Sequence, residues 1–319
     1  MARTSERAMS DRDNGYGLKG ASEGTPCPRL PELDPPFDII EPEVEACPVV
    51  FSSPHSGNIY PADFLKATRL DPLSLRRSED AFVDELFVPA LSIGAPMLRA
   101  RFPRAYLDVN REPFELDPRM FEGRLPSHAN TRSIRVAGGL GTIARIVGEA
   151  QEIYSGRLPV AEAIARIEAL HRPYHAALKG LMERTRKRFG MAVLIDCHSM
   201  PSTNLPSENG GKADVVLGDR YGTSCDPGFI DCIDYELRLL GYRVLRNKPY
   251  AGGYITEHYG APSMARHALQ VEFNRGLYMD EARIARADNF DALSRDIAKV
   301  MERFAAFLAA GASGAAAAE

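Results

Sequence analysis

The chain has 319 residues, 45% hydrophobic and 26% charged, with a formal net charge of -4. That is an ordinary globular mix, long enough for one large α/β domain or two small ones, and it carries no basic excess to ask for nucleic acid or an anionic membrane. The five cysteines (27, 47, 197, 225 and 232) are odd in number and lack CxxC spacing, which points to a reducing cytoplasm, and neither a membrane-length apolar run nor a signal-peptide core is visible.

Residues 1–36 are rich in Ser, Gly, Pro and charge and read as a flexible extension; 311–319 (GASGAAAAE) read as a low-complexity tail. Between them, 37–310 reads as one domain. Cys47–Ser53 (CPVVFSS) has the pattern of a buried strand. Ala81–Leu91 has helical spacing, with Phe82, Leu86 and Ala90 on one stripe. Ala95–Ala100 and Ala105–Val109 read as strands. AGGLGT (137–142) suggests a mobile loop entering a helix. Pro159–Phe189 is a long helical stretch in which Pro173 is expected to kink or restart the helix and Gly190 to cap it. Strands are expected at Met191–Cys197, Ala213–Leu217, Tyr242–Leu245 and His267–Phe273, and helices at Gly228–Leu240 and Glu281–Leu308. This alternation predicts a three-layer α/β/α sandwich on a mixed, mainly parallel sheet, with functional groups just beyond the carboxyl ends of the strands.

Two histidines sit where that rule points. His55 follows VVFSSP and His198 follows VLIDC, each with a strand pattern before it and turn chemistry after it. Two imidazoles leave room for one carboxylate around a catalytic zinc, and Asp80 and Glu79 are the local candidates. A lone histidine at a strand end is more often a satisfied polar residue, but a matched pair with acids nearby shifts the balance. Glu272 ends the apolar strand HALQVEF and is costly to bury without a partner. It reads either as the base of a metal-assisted hydrolysis or as the partner of Arg275 or Arg266. RARFPRAYLDVNR supplies Arg99, Arg101, Arg104 and Arg111, with Asn110 beside the last. Such forks match carboxylates or oxyanions, although a charge run is commonly a solvated face. Neither glycine stretch, AGGLGT nor AGGYIT (251–256), has phosphate-loop spacing, and Ser56, Ser199 and Cys197 lack the elbow of a serine hydrolase. His171 and His175 lie four apart on the long helix without HEXXH, so core or surface roles suit them better than a metal.

Eight segments in order resemble the N-formylglutamate amidohydrolase family: VVFSSPHSGNIYP, RRSEDAFVDELF, RAYLDVNREPFELDP, LHRPYHAALKGL, VLIDCHSMPS, DVVLGDRYGTSCDP, NKPYAGGYITEHYG and HALQVEFNRGLYMDE, spanning about 45–285. The resemblance implies a zinc exopeptidase-like fold and hydrolysis of N-formyl-L-glutamate to formate and glutamate, late in histidine breakdown. It implies one zinc ion on His55, Asp80 and His198, with Glu79 in reserve. Glu272 would be the general base and acid, Arg104 a second anion donor or an oxyanion donor, and Asn110 with Arg111 the clamp for a small anionic N-acyl amino acid. The chain departs from the family pattern at Phe82, where a histidine is common, and at Phe-Asn-Arg after Glu272. A zinc deacylase or carboxypeptidase acting on another N-acyl amino acid or peptide, or a binding protein of the same fold, stands as the alternative.

Overall fold

The computed structural model describes residues 30–204, 207–208 and 211–316. Seven strands make the main sheet: β1 (Phe37–Ile40), β2 (Val49–Ser53), β3 (Met97–Ala100), β4 (Ala192–Met200), β5 (Val215–Gly218), β6 (Val244–Arg246) and β7 (Arg266–Asn274). Their order is β1-β3-β2-β4-β7-β5-β6. β1 is antiparallel to β3 and β5 to β7, and every other neighbouring pair is parallel. The sheet is therefore mixed and mainly parallel, as expected.

Both faces are covered because the central strands are apolar on both sides. On β2 and β4, Val49, Phe51, Val193, Ile195 and Cys197 face one core. Val50, Ala192 and Leu194 face the other. The first core is closed by α1 (Val83–Phe87), α5 (Pro227–Leu239) and α7 (Phe290–Ala316). The second is closed by α3 (Val160–Arg166) and α4 (Arg172–Phe189), joined through a π-turn at Ile167–His171, together with α6 (Tyr254–Tyr259). α2 (Ile134–Ala137) is a single capped turn that lies before them in the chain. Pro173 sits in the first turn of α4, and Gly190 closes that helix in the left-handed region at φ 80. No described helix is long and apolar enough to cross a membrane.

Several expectations give way to tertiary structure. Ala105, Leu107 and Val109 are buried, but 105–109 is not a strand. Its backbone is spent on turns, with Tyr106 and Leu107 N–H donating to Pro103 O and Asp108 N–H to Thr142 O. The helical stretch at 81–91 splits into α1 and a 3-10 turn, Val88–Ile93, with Pro89 at its start. AGGLGT follows a helix rather than entering one. The last helix begins at Phe290, because Asp280 caps a tight turn that folds 279–286 into a small hairpin. That helix also runs on through residues expected to be tail. Residues 1–29 of the expected extension lie outside the described residues, whereas Leu33 within it is buried.

Gly57, two residues after His55, shows how tightly the sheet edge is closed. A Cβ there would lie 2.2 Å from Phe102 O and 2.6 Å from the Arg101 carbonyl carbon, both backbone atoms. Gly57→Ala is therefore expected to cost about 3 kcal/mol. A thermal melt checks this: the midpoint should fall by about 6–12 °C, and an unchanged midpoint would contradict the close approach.

Candidate metal centre

The parallel run β2-β4-β7 brings three carboxyl ends to one edge of the sheet. Ser52 of β2 is in register with Asp196 of β4, and His198 of β4 with Glu272 of β7. Side chains alternate along a strand. Asp196 and His198 thus share the face of Ala192 and Leu194, while Gln270 and Glu272 share the face of Ala268. His55 comes in from the loop after β2, and the Asp80 N–H donates to His55 O at 3.1 Å, docking the segment before α1 onto that loop.

His55, Asp80 and His198 converge, with one donor atom from each lying within 4.8 Å of the others and all three residues at most 2% exposed. Asp80 Oδ2 is 3.3 Å from His55 Nδ1 and 3.0 Å from His198 Nδ1. The far nitrogens are tethered: His55 Nε2–H donates to Asp108 Oδ1 at 2.8 Å, and His198 Nε2–H to Asp196 Oδ2 at 2.9 Å. Carboxylates behind imidazoles hold the ring protons on Nε2 and turn the Nδ1 lone pairs toward one point. Asp80 Oδ1 accepts from Arg275 Nη2 at 3.0 Å and from Ser199 Oγ at 3.2 Å, which leaves Oδ2 facing the imidazoles.

The electrostatics favour a cation at that point. Burial alone would raise both carboxyls. The facing imidazoles of His198 and His55 instead hold Asp80 well below the usual carboxylate range. The His55 imidazole and the guanidinium charges of Arg111 and Arg104 do the same for Asp108. Burial would likewise strip charge from His198, but Asp196 and Asp80 override it and raise its affinity for positive charge. Two imidazole nitrogens and one carboxylate are the donor set of many three-ligand zinc sites, and these residues fit such an ion.

Glu272 faces the same space. Gln270 Nε2 donates to its Oε1 at 2.8 Å. Burial lifts its carboxyl to about 8; the Asp80 charge adds to the rise, and His198, Arg104 and Arg275 only partly oppose it. Among the described residues Glu272 forms no ion pair: Arg275 is taken by Asp80, and Arg266 lies at the opposite end of β7. The alternative of a salt bridge to either arginine is therefore not what the structure holds.

Other expected residues part company. Glu79 turns away from Asp80 and is held by Arg76 and Tyr60, so it does not reach the imidazoles. The arginine run divides. Arg104 (paired with Asp108 at 2.8 Å) and Arg111 line a cavity of about 520 Å³ over the site, whereas Arg99 and Arg101 line a separate one of about 300 Å³. Asn110 is not a free clamp beside Arg111. Its oxygen accepts from the Ile255 N–H at 2.8 Å, and its Nδ2 lies 3.2 Å from His198 Nε2 and 3.5 Å from Asp196 Oδ2. With the His198 proton on Nε2, that amide has Asp196 Oδ2 as its acceptor, so Asn110 braces the carboxylate that holds the second histidine. Cys197 points into the helical core, where burial raises its thiol, and Ser199 is engaged by Asp80 and Arg275.

His171 and His175 are not a metal pair. Their Nε2 atoms donate to Arg111 O at 2.9 Å and Val109 O at 2.8 Å, pinning the 109–111 segment to the π-turn and the start of α4. Burial pushes His171 down to about 4, so it serves as a neutral donor. Sequence reasoning passed over Asp108, Asp196, Gln270 and Arg135 and read Arg275 only as a partner for Glu272. For Asp196 and Gln270 a signal was present, because each lies two residues before a chemical residue on the same strand face.

The family profile described as N-formylglutamate amidohydrolase matches residues 47–279. An N-formylglutamate deformylase of Pseudomonas putida is 30% identical over 238 residues, covering 73% of this chain and 82% of that protein. One from Pseudomonas aeruginosa is 31% identical over 266 residues, covering 82% and 93%. The crystal structure of N-formylglutamate amidohydrolase from Ralstonia eutropha JMP134 is 40% identical, covers 86% of this chain and 99% of that one, and superposes with a TM-score of 0.82.

The tethering carboxylates carry a prediction. Asp196→Asn keeps the shape but removes the charge behind His198, and divalent-metal affinity is expected to fall about 10- to 100-fold. Competition against a chromophoric chelator measures it. An affinity equal to that of the parent would mean the carboxylate behind His198 does not tune the site.

Proposed function

The chain belongs to the N-formylglutamate amidohydrolase family, and from that membership we propose that it hydrolyses N-formyl-L-glutamate to formate and L-glutamate, using a zinc ion held by His55, Asp80 and His198. The observation that carries the reading is the meeting of two tethered Nδ1 atoms and Asp80 Oδ2, with Glu272 beside them in an arginine-rimmed cavity. When bound, the zinc ion would polarise the formyl carbonyl and lower the pKa of water toward about 7.

The protein's own groups account for the rest. Glu272 removes the proton from the attacking water and delivers it to the nitrogen as the formyl C–N bond breaks. Gln270 holds Oε1, which turns Oε2 to that task. One guanidinium nitrogen of Arg104 is anchored on Asp108 Oδ2, so its other N–H groups are aimed at the oxyanion that develops on the former carbonyl. Arg111 takes the α-carboxylate. Its Nε donates to Leu140 O and its Nη1 to Asn110 O, while Nη2 lies 3.8 Å from Asp108 and is the arm left for the substrate. Asn110 serves this scheme by positioning His198 rather than by touching the substrate.

Three outcomes test the proposal. Formate release from N-formyl-L-glutamate should stop with a strong chelator and return on zinc add-back; activity that survives complete metal removal would point to a different chemistry. Glu272→Gln should keep stoichiometric metal while turnover drops by about 10²- to 10⁴-fold, and a retained rate would remove the base assignment. The pH profile carries a sign. A base works only after losing its proton, so kcat/KM falls as pH drops through the pKa of Glu272. Burial lifts that group from 4.5 to about 8, and the charge of a bound cation opposes that rise. The acid limb should therefore lie above 4.5, and a limb below that value would contradict the assignment.

A further inference from the structure

The arginines of the cavity are not equivalent. Arg104 is paired with Asp108 and Arg275 with Asp80, so their charges are already answered by the protein. Arg111 and Arg135 are set differently. The nearest carboxylate to Arg111 is that of Asp108, at 3.8 Å, and Asp108 is already bonded to His55 and Arg104. Arg135 is half-buried, lines the same cavity, and makes no ion pair among the described residues.

The chain takes some trouble to hold these two cations at one wall. Ser133 caps α2 by accepting from the Val136 N–H at 3.0 Å. The Leu140 N–H donates to Arg135 O at 2.8 Å, and Leu140 O in turn accepts from Arg111 Nε at 2.9 Å. Gly141 lies so close to Glu115 O that a Cβ would be 2.2 Å from it, and Thr142 is laced on both sides, its N–H to Glu115 O and its carbonyl to the Asp108 N–H. The 133–142 turn and the 108–115 segment are thus one braced unit presenting two guanidinium groups. Like charges in a half-dry wall raise each other's free energy until an anion arrives. In keeping with this, burial lowers the hold of Arg111 on its proton, and Arg104 and Arg135 add to the effect against Asp108.

One carboxylate satisfies Arg111 and leaves Arg135 unanswered. We propose that Arg135 binds the side-chain carboxylate of the substrate and so sets a preference for N-acylated dicarboxylic amino acids over their uncharged counterparts. This rests on the hydrolase reading above and names the residue that reads the second charge. Leu140 and Ala144 line the same cavity and offer apolar surface to the methylene stem between the two carboxylates.

The test compares N-formyl-L-glutamate with N-formyl-L-glutamine, which has the same length but no distal charge. The ratio of their kcat/KM values should favour glutamate in the parent and shrink about 10- to 100-fold in Arg135→Gln, the worth of one charge-assisted contact. Arg135→Lys should restore part of the ratio by keeping the charge without the fork. Arg101→Gln, whose guanidinium donates to Pro35 O away from the cavity, should leave the ratio alone. A ratio that survives Arg135→Gln, whether or not both rates fall, overturns the proposal. If the zinc-loaded parent releases formate from neither substrate, the hydrolase reading fails on its own. Calorimetric binding of glutarate against its monoamide then decides the role of Arg135: loss of the glutarate preference in Arg135→Gln supports it, and an intact preference refutes it.

Discussion

Three donor atoms share one point in a water-poor interior, and the cost of leaving that point without positive charge organises the rest of the site. Asp80 Oδ2 and the Nδ1 atoms of His55 and His198 lie in residues almost wholly cut off from solvent. Burying a carboxylate there costs several kcal/mol unless neighbours answer it. The answer comes in layers. Arg275 and Ser199 hold the second oxygen of Asp80, while Asp108 and Asp196 stand behind the two imidazoles. Arg104 and Asn110 stand behind those acids in turn. Each layer restricts the rotation of the one inside it. The geometry is preorganised because each donor has a partner at its back.

The scaffold supplies this arrangement through strand direction. β2, β4 and β7 run parallel and adjacent, so their carboxyl ends reach one edge together. A parallel sheet buried on both faces keeps water from the side chains just inside that edge. The histidines at the π-turn perform a related task from the helical layer. They hold the carbonyls of Val109 and Arg111, which keeps the 108–111 segment, bearing both Asp108 and Arg111, against the sheet. Insertions of this kind in a helix recur at functional sites. Here the inserted turn carries His171, and the helix that follows it carries His175, where loop carbonyls need donors.

Across the mouth of the cavity the balance of charge changes sign. Close to the donor triad, acids outnumber the cations they meet. Farther out, arginines outnumber acids. That gradient suits an elongated anion whose amide reaches the donor triad while its charged ends stay at the wall. It also explains why a protein with net charge -4 can hold an anionic substrate: the local arrangement, and not the overall sign, governs the pocket.

Much of this was legible in the chain itself. The strand patterns before His55 and His198, the apolar run ending at Glu272, and the α/β alternation each followed from periodicity and from turn chemistry. Those signals are local, and local signals survive because burial on a given face imposes a fixed spacing. What periodicity could not read were choices made by distant partners. Glu79 and Asp80 are adjacent acids, and only the positions of Arg76 and Tyr60 on one side and the imidazoles on the other separate their roles. Ala105–Val109 carried the alternation of a strand, yet its backbone found its partners in Pro103 and Thr142. Asn110 looked like a clamp until the Ile255 N–H and Asp196 claimed its amide. Residue types and their order thus determined the fold class and the chemistry on offer. Orientation, tautomer and the matching of each charge with its partner were decided by contacts between segments far apart in sequence, because an ion pair or hydrogen bond depends on ångström distances that no one-dimensional spacing encodes.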